Sequence, residues 1–411
     1  MGSGLKSVDA HLADILSTVS LLVARDLELL DAQGCLLAED LASPLVLPPV
    51  DNSSMVGYAV RSADLRDADP RTPVTLPVAG DIAAGSVTSD PVRPGTCVRI
   101  MTGAQLPAGA DAVVPVEWTD GGLAKVTISR PPVAGQHIRR AGEEVAVGDI
   151  VLAAGTHLGP AQLGLLAAVG REKVRARPRP RVVVISTGSE LVDVGGSLSQ
   201  GQIFDSNSYT LTAAVREAGA TAYRMGIVPD DARLLQTTLQ DQLSRADMII
   251  TSGGVSVGAY DVVKEVLASI GTVRFERVAM QPGMPQGFGT LGEERVPIFG
   301  LPGNPVSAFV SFEVFVRPAL RRMLGAEPIT RPLVPATLTA PLRAPAGKRA
   351  FARARLAARD GDRVVTPVGG PGSHLVAGLA AANALVVVPE EVSELAAGET
   401  VRVMALERRQ R

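Results

Sequence analysis

Aromatic residues are scarce in this chain: one Trp, four Tyr and eight Phe, 3% of 411 residues. A stacking platform for single-stranded nucleic acid is therefore not expected. There are two cysteines, Cys35 and Cys97, at no metal or redox spacing. A reduced, cytoplasmic protein is the expectation. The four histidines, His11, His137, His157 and His374, lie far apart with no i,i+4 pair, which argues against a zinc site. Charge of one sign is also lacking. The net charge is −2, so nothing draws the chain to polyanions or anionic membranes. No apolar run approaches the roughly 18 residues of a membrane span, and the first residues lack a signal-peptide core.

Small apolar residues, glycine and proline dominate instead. Hydrophobic residues make up 46% and charged residues 20%, a balance that implies buried cores and not disorder. At 411 residues, two to four domains are expected. Residues 7–23 carry helical spacing after Ser7, a candidate N-cap. "DAQGCLLAEDL" reads as a helix end followed by a short strand. From about 45 to 140, short apolar runs cut by Pro and Gly predict an all-β segment. "REKVRARPRPR", 171–181, holds six basic residues and reads as a solvated linker, or else as an anion-attracting stripe.

Residues 181–325 alternate between apolar strands ("RVVVIS", "DMIITS", "VPIFG") and helices, the pattern of a parallel sheet covered on both faces. From about 330 onward, short strands predict a small β-barrel. Ligands of open parallel sheets sit beyond the carboxyl ends of the strands. Four such ends are unusual here. "STGSEL" supplies Thr187, Gly188 and Glu190, and "FDSNSY" supplies Asp205, Ser206 and Asn207. "TSGGVSVGAYD" supplies Ser252, Gly253, Gly254, Ser256 and Asp261, and "LPGNPVSA" supplies Gly303 and Asn304. Glycines after a strand let backbone N–H groups face a phosphate, and a following helix adds favourable field. Glu190 and Asp261 suit a shared Mg²⁺, which takes one or two carboxylates plus phosphate oxygens. None of these four loops matches GxGxxG with an acid about 20 residues on, nor GxxxxGK[ST], so a dinucleotide fold and a P-loop are disfavoured. In "VAMQPGMPQGFG", 278–289, Gly283, Gly287 and Gly289 with two prolines read as backbone that approaches a ligand, yet Gln281 and Met284 carry no charge.

Together "PPVDNSSMVGYAV", "RIMTGAQLPAGADAVVPVE", "GEEVAVGD", "STGSEL", "TSGGVSVGAYD", "PGMPQGFG", "LPGNPVSA" and "GSHLVAGLAAANALVVVPE" carry a resemblance to a known family along nearly the whole chain. The chain resembles the molybdopterin molybdenumtransferases, the family of MoeA and the gephyrin E domain. That resemblance implies an α/β multidomain subunit in an elongated homodimer. Its parts would be a discontinuous helical or mixed linker domain (1–46 plus 140–178), an inserted β domain (47–139), a central MogA-like α/β domain with a parallel sheet (179–327) and a C-terminal β-barrel (328–411). The implied reaction inserts molybdate into adenylylated molybdopterin, with Mg²⁺, and releases AMP. By the same resemblance Ser252, Gly253, Gly254 and Ser256 cradle phosphate, and Glu190 and Asp261 hold the metal. Asp205, Asn207, Asp230, Gly303 and Asn304 line the cleft. Thr102 reaches it from the β domain, and Arg353 and Ser373 face molybdate.

Four positions depart from the family pattern. An acid is expected at Val56, an Asp at Ser189, and lysines at Gln281 and Met284. Two lost lysines weaken an oxyanion site by at least ~2 kcal/mol, so attenuated metal insertion is expected. The family also implies an alternative, a dimeric scaffold of the gephyrin type that holds a partner peptide, such as the FtsZ C-terminal tail in actinobacterial cell division.

Overall fold

The computed structural model describes residues 4–86, 90–254 and 262–406. They form two compact units. Residues 28–33 and 39–174 make up one, and the remainder of the chain makes up the other.

Helix α1 (Val8–Thr18) starts where Ser7 accepts a hydrogen bond at its Oγ from the backbone N–H of Ala10, as expected of an N-cap. It buries Val8, His11 and Ile15 against the second unit's core. Burying a side chain like Ile15 stabilises by about 1.5–3 kcal/mol. Residues 29–34 form a turn, not a helix end.

The first unit contains a five-stranded sheet of β1 (Gly57–Val60), β2 (Val74–Ile82), β3 (Cys97–Ile100), β4 (Ala112–Pro115) and β5 (Lys125–Ile128), in the order β4-β1-β3-β2-β5. This is the predicted all-β segment. Burial pushes the Cys97 thiol up to about 12, so that cysteine is inert.

The basic run is not a bare linker. Lys173–Arg177 is a strand, with Ala176 and Arg177 paired to Leu37 and Leu36. Three of its six basic residues are in ion pairs: Lys173 with Glu28, Arg175 with Asp26, and Arg181 with Asp247.

The second unit is built on β6 (Arg181–Thr187), α2 (Asn207–Glu217), β7 (Thr221–Val228), α3 (Ala232–Leu243), β8 (Met248–Ser252), α4 (Val262–Ile270), β9 (Arg274–Arg277), β10 (Pro285–Leu291), β11 (Val296–Leu301) and α5 (Pro305–Ser311). The sheet order is β7-β6-β8-β11-β10-β9. The first four strands are parallel, but β10 and β9 are antiparallel. The four strands expected from sequence are parallel to one another, as expected, and the two further strands make the whole sheet mixed. A short hairpin link joins β10 to β11, and such a link forces antiparallel pairing. The helix predicted from Pro305 is interrupted by a π turn at Phe312–Val316, then resumes over Arg317–Leu324. The turn precedes Pro318, which lacks the N–H that an α-helix interior requires.

Beyond it, β12 (Leu333–Leu338), β13 (Arg349–Arg359), β14 (Asp362–Pro367), β15 (Ala384–Val388) and β16 (Thr400–Ala405) pair in the order β13-β14-β12-β16-β15. Pairing of β13 with β15 closes the barrel. Among the described residues, no helix is long and apolar enough to cross a membrane.

Candidate functional site

Register brings three strand ends level. Ser186 of β6 pairs with Ser252 of β8, which pairs with Leu301 of β11. The glycines that follow are needed for close approach. Gly253 has φ +105°, and a Cβ there would lie 2.4 Å from the Thr187 carbonyl oxygen. A Cβ on Gly188 would lie 2.6 Å from a carboxylate oxygen of Glu190. The Glu190 carboxylate therefore folds back over the end of β6, in space that only glycine leaves open.

The N-terminus of α2 ties the loops together. The Asn207 amide nitrogen donates to Ser252 Oγ at 2.7 Å and to the Gly303 carbonyl at 2.7 Å. Asp205 Oδ1 accepts from Ser186 Oγ at 2.9 Å and from the N–H of Ser208 at 3.0 Å. Two buried acceptors in this cluster, Asp205 Oδ2 and Asn207 Oδ1, have no hydrogen-bond partner. Such atoms cost free energy unless something fills the gap, so they mark where a donor is wanted. Asp230 and Ser189 bond reciprocally, each backbone N–H to the other's side-chain oxygen at 3.2 Å. Ser189 thus has a structural use of its own.

From the barrel side, Ser373 Oγ accepts from Asn304 at 3.1 Å, and its carbonyl accepts from the N–H of Val306. Arg353 is 4% exposed, and both its terminal nitrogens are engaged. It donates to the carbonyls of Leu375 (2.6 Å), Gly370 (2.5 Å), Gly372 (3.0 Å) and Gly369 (3.4 Å). Burial holds its guanidinium below the usual arginine range. It shapes the 369–375 loop and has little left to offer an anion.

These loops enclose a cavity of about 750 Å³. Glu190, Asp205, Asn207, Asp230, Ser252, Gly253, Gly254, Gly303 and Asn304 all line it, so most of the residues expected from sequence come together. Ser373 stands beside it through Asn304. Ser256 and Asp261 lie outside the described residues. Thr102 belongs to the other unit, in a turn after β3 that the Gly103 N–H holds to the Ser53 carbonyl. Sequence reasoning missed His374, Val376, Ile203 and Phe204, which also line the cavity. All but Ile203 sit inside motifs quoted for their polar or glycine residues, and Ile203 directly precedes one.

The stretch 278–289 is corrected in part. Gly287 and Gly289 are strand glycines of β10, not ligand-facing ones. A Cβ on Gly287 would meet the Phe275 ring at 2.8 Å, and one on Gly289 would meet Val273 Cα at 2.5 Å. Gly283 does sit in a tight turn, at φ +97°, where Gln286 Nε2 donates to its carbonyl and to Ser311 Oγ, both at 2.6 Å. Arg277, which is exposed, reaches Met284 Sδ at 3.7 Å and so places a cation beside the uncharged turn.

Three family models match consecutive parts of the chain: the MoeA N-terminal region (domain I and II) at 6–170, the probable molybdopterin binding domain at 183–322, and the MoeA C-terminal region (domain IV) at 335–406. Molybdopterin molybdenumtransferase 2 of Mycobacterium tuberculosis is 50% identical over 384 residues, covering 92% of this chain and 94% of its own. Molybdopterin molybdenumtransferase of Haemophilus influenzae is 39% identical over 383 residues, covering 92% of each. A crystal structure of a molybdopterin biosynthesis MoeA protein from Pyrococcus horikoshii superposes with a TM-score of 0.78 at 32% identity, over 98% of this chain and 99% of that one. Set beside a cleft of glycine loops and carboxylates at the parallel strand ends, these matches lead to one conclusion. The chain belongs to the MoeA family of molybdopterin molybdenumtransferases and to molybdenum cofactor biosynthesis.

Proposed function

We propose that the cleft at the ends of β6, β8 and β11 binds adenylylated molybdopterin, and that the chain inserts molybdate there with release of AMP. One observation carries this reading: four sequence-distant loops converge on one cavity and present glycine backbone, carboxylates and acceptors that lack a hydrogen bond. Ser252, Gly253, Gly254 and Ser256 cradle phosphate oxygens through N–H and hydroxyl donors, and Gly303 and Asn304 close the opposite wall. Asp230 holds the Glu190 loop through Ser189.

A magnesium ion fits the donor set. Glu190 projects its carboxylate at the strand end, and with Asp261 it provides the one or two carboxylates that Mg²⁺ takes beside phosphate oxygens. Bound there, the ion neutralises charge on the phosphates. The full site forms in a homodimer of subunits with four domains, 1–46 with 140–178, 47–139, 179–327 and 328–411.

Molybdate capture is weakened in this chain. Arg353 is committed to carbonyls, and Gln281 and Met284 bring no charge, which leaves Arg277 as the cation beside the turn. A dianion in a partly desolvated pocket depends on charged donors. The test is AMP release from adenylylated molybdopterin, followed as molybdate is titrated. Release that rises with molybdate and saturates only at high concentration is expected. No release at any concentration would sink the transferase reading, and saturation at micromolar molybdate would sink the weakened capture.

A further inference from the structure

The cavity has an apolar lip that the proposed phosphate chemistry does not use. Leu191–Val192 and Ile203–Phe204 form a two-stranded parallel ribbon, with Leu191 opposite Ile203 and Val192 opposite Phe204. Its backbone is pinned where the Ile203 N–H donates to the Glu190 carbonyl and the Asp205 N–H to the Val192 carbonyl, both at 2.9 Å. Ile203 is 56% exposed and Phe204 42%, and both line the cavity with Leu191 and Val376.

Phe204 is set apart from the chain's other phenylalanines. It alone of the eight is exposed. Phe288 pairs with Phe299, Phe315 with His11, and Phe275 lies under Lys264. Nearby Tyr209 is covered by Arg224 and bonds Asp193. Phe204 has no ring or cation partner among the described residues. A single exposed apolar residue is ordinary, but several around the mouth of one cavity mark a binding surface.

The residues that follow point the same way. Asp205, 1% exposed, makes no hydrogen bond at Oδ2, which lies 4.0 Å from the Arg224 guanidinium, and Asn207 makes none at Oδ1. Both are acceptors and both lie on the wall that Phe204 continues. A ligand that suits this wall has a flat apolar face and N–H donors on its edge, with phosphate to reach the glycine loops. That combination describes an amino-substituted nitrogen heterocycle joined to phosphate.

We infer that Phe204 is the stacking platform for such a heterocycle, with Asp205 and Asn207 accepting from its edge. This rests on the cleft assignment proposed above and adds the residue that selects the ring. The chemistry is shared by adenine and by the 2-amino-4-oxo pterin, and the experiment separates them.

Binding of AMP, of pterin and of inorganic pyrophosphate to the full-length protein and to Phe204→Ala and Phe204→Trp would be measured by calorimetry. Phe204→Ala is expected to weaken either AMP or pterin by about tenfold, the loss that follows removal of a base-stacking ring. Whichever probe weakens identifies the ring. Pyrophosphate, which carries no ring, stays within about twofold, and Phe204→Trp restores the loss because it retains an aromatic face. The platform is overturned if Phe204→Ala binds both rings as the unaltered protein does, if Phe204→Trp fails to restore binding, or if pyrophosphate weakens in parallel. Those outcomes leave the cleft standing where the unaltered protein binds AMP and releases it on turnover. An unaltered protein that takes up none of the three probes overturns the cleft assignment and the platform together.

Discussion

Asn207 and Ser252 are joined by a 2.7 Å hydrogen bond, and the same amide nitrogen bonds the Gly303 carbonyl at 2.7 Å. One side chain at the start of α2 therefore fastens the loops after β8 and β11 to a third element.

Asn207→Ala removes both bonds and strands a carbonyl at the cavity wall. A loss of about 1–3 kcal/mol is expected by urea unfolding, the cost of leaving a buried group unsatisfied. AMP affinity falls with it. Unchanged stability and affinity would show that the loops hold their places without it.

Gln281→Lys combined with Met284→Lys returns the cations that the family pattern has at the turn. Each charged hydrogen bond is worth about 1.5–3 kcal/mol, so the molybdate concentration giving half-maximal AMP release should fall at least tenfold. No change would mean that this turn does not face the oxyanion.

Arg353→Lys keeps the charge but cannot reach carbonyls spread over residues 369–375. A destabilisation of about 2 kcal/mol is expected from the unmet carbonyls. Thermal unfolding checks it, and an unaltered midpoint would remove Arg353's role in shaping the loop.

His11 sets a pH dependence. Its ring is 2% exposed, lies edge-on to Phe315, and bonds Glu276, which also holds Lys6, with Asp14 beyond Lys6. Burial depresses its pKa below the ordinary 6.5, with the Glu276 bond opposing. The folded state thus binds fewer protons here than the unfolded state does. Its contribution to stability is complete above pH 6.5 and is lost as pH falls from there through the folded value. Urea midpoints should decline as pH falls below 6.5, and His11→Gln should flatten that part of the curve. A variant with the same slope would assign the dependence elsewhere.

Much of the architecture was legible in the sequence. Continuous apolar runs such as "RVVVIS" and "DMIITS" declare buried strands, and glycine after a strand declares a loop that must approach something closely. Direction was legible only for the four helix-linked strands, which are parallel as expected. Nothing in "PQGFGTL" says that β10 runs against its neighbours, because strand periodicity is the same either way. Its glycines misled for a related reason: close packing against Phe275 and Val273 demands the same residue as a ligand does. Phe204 went unnoticed because an aromatic next to a polar motif reads as core until its exposure is known. Arg353 read as an anion contact because sequence shows the charge and not the carbonyls that consume it.

Those carbonyls have a consequence for ligand capture. With its 369–375 segment stapled at four points by one guanidinium, the barrel-side wall of the cleft is already ordered before anything binds. A loop left free would surrender backbone entropy of about 1–2 kcal/mol per residue on closing over a ligand. Here that loss falls on folding, so a ligand meets a rigid surface, and affinity at this wall depends on its contacts alone.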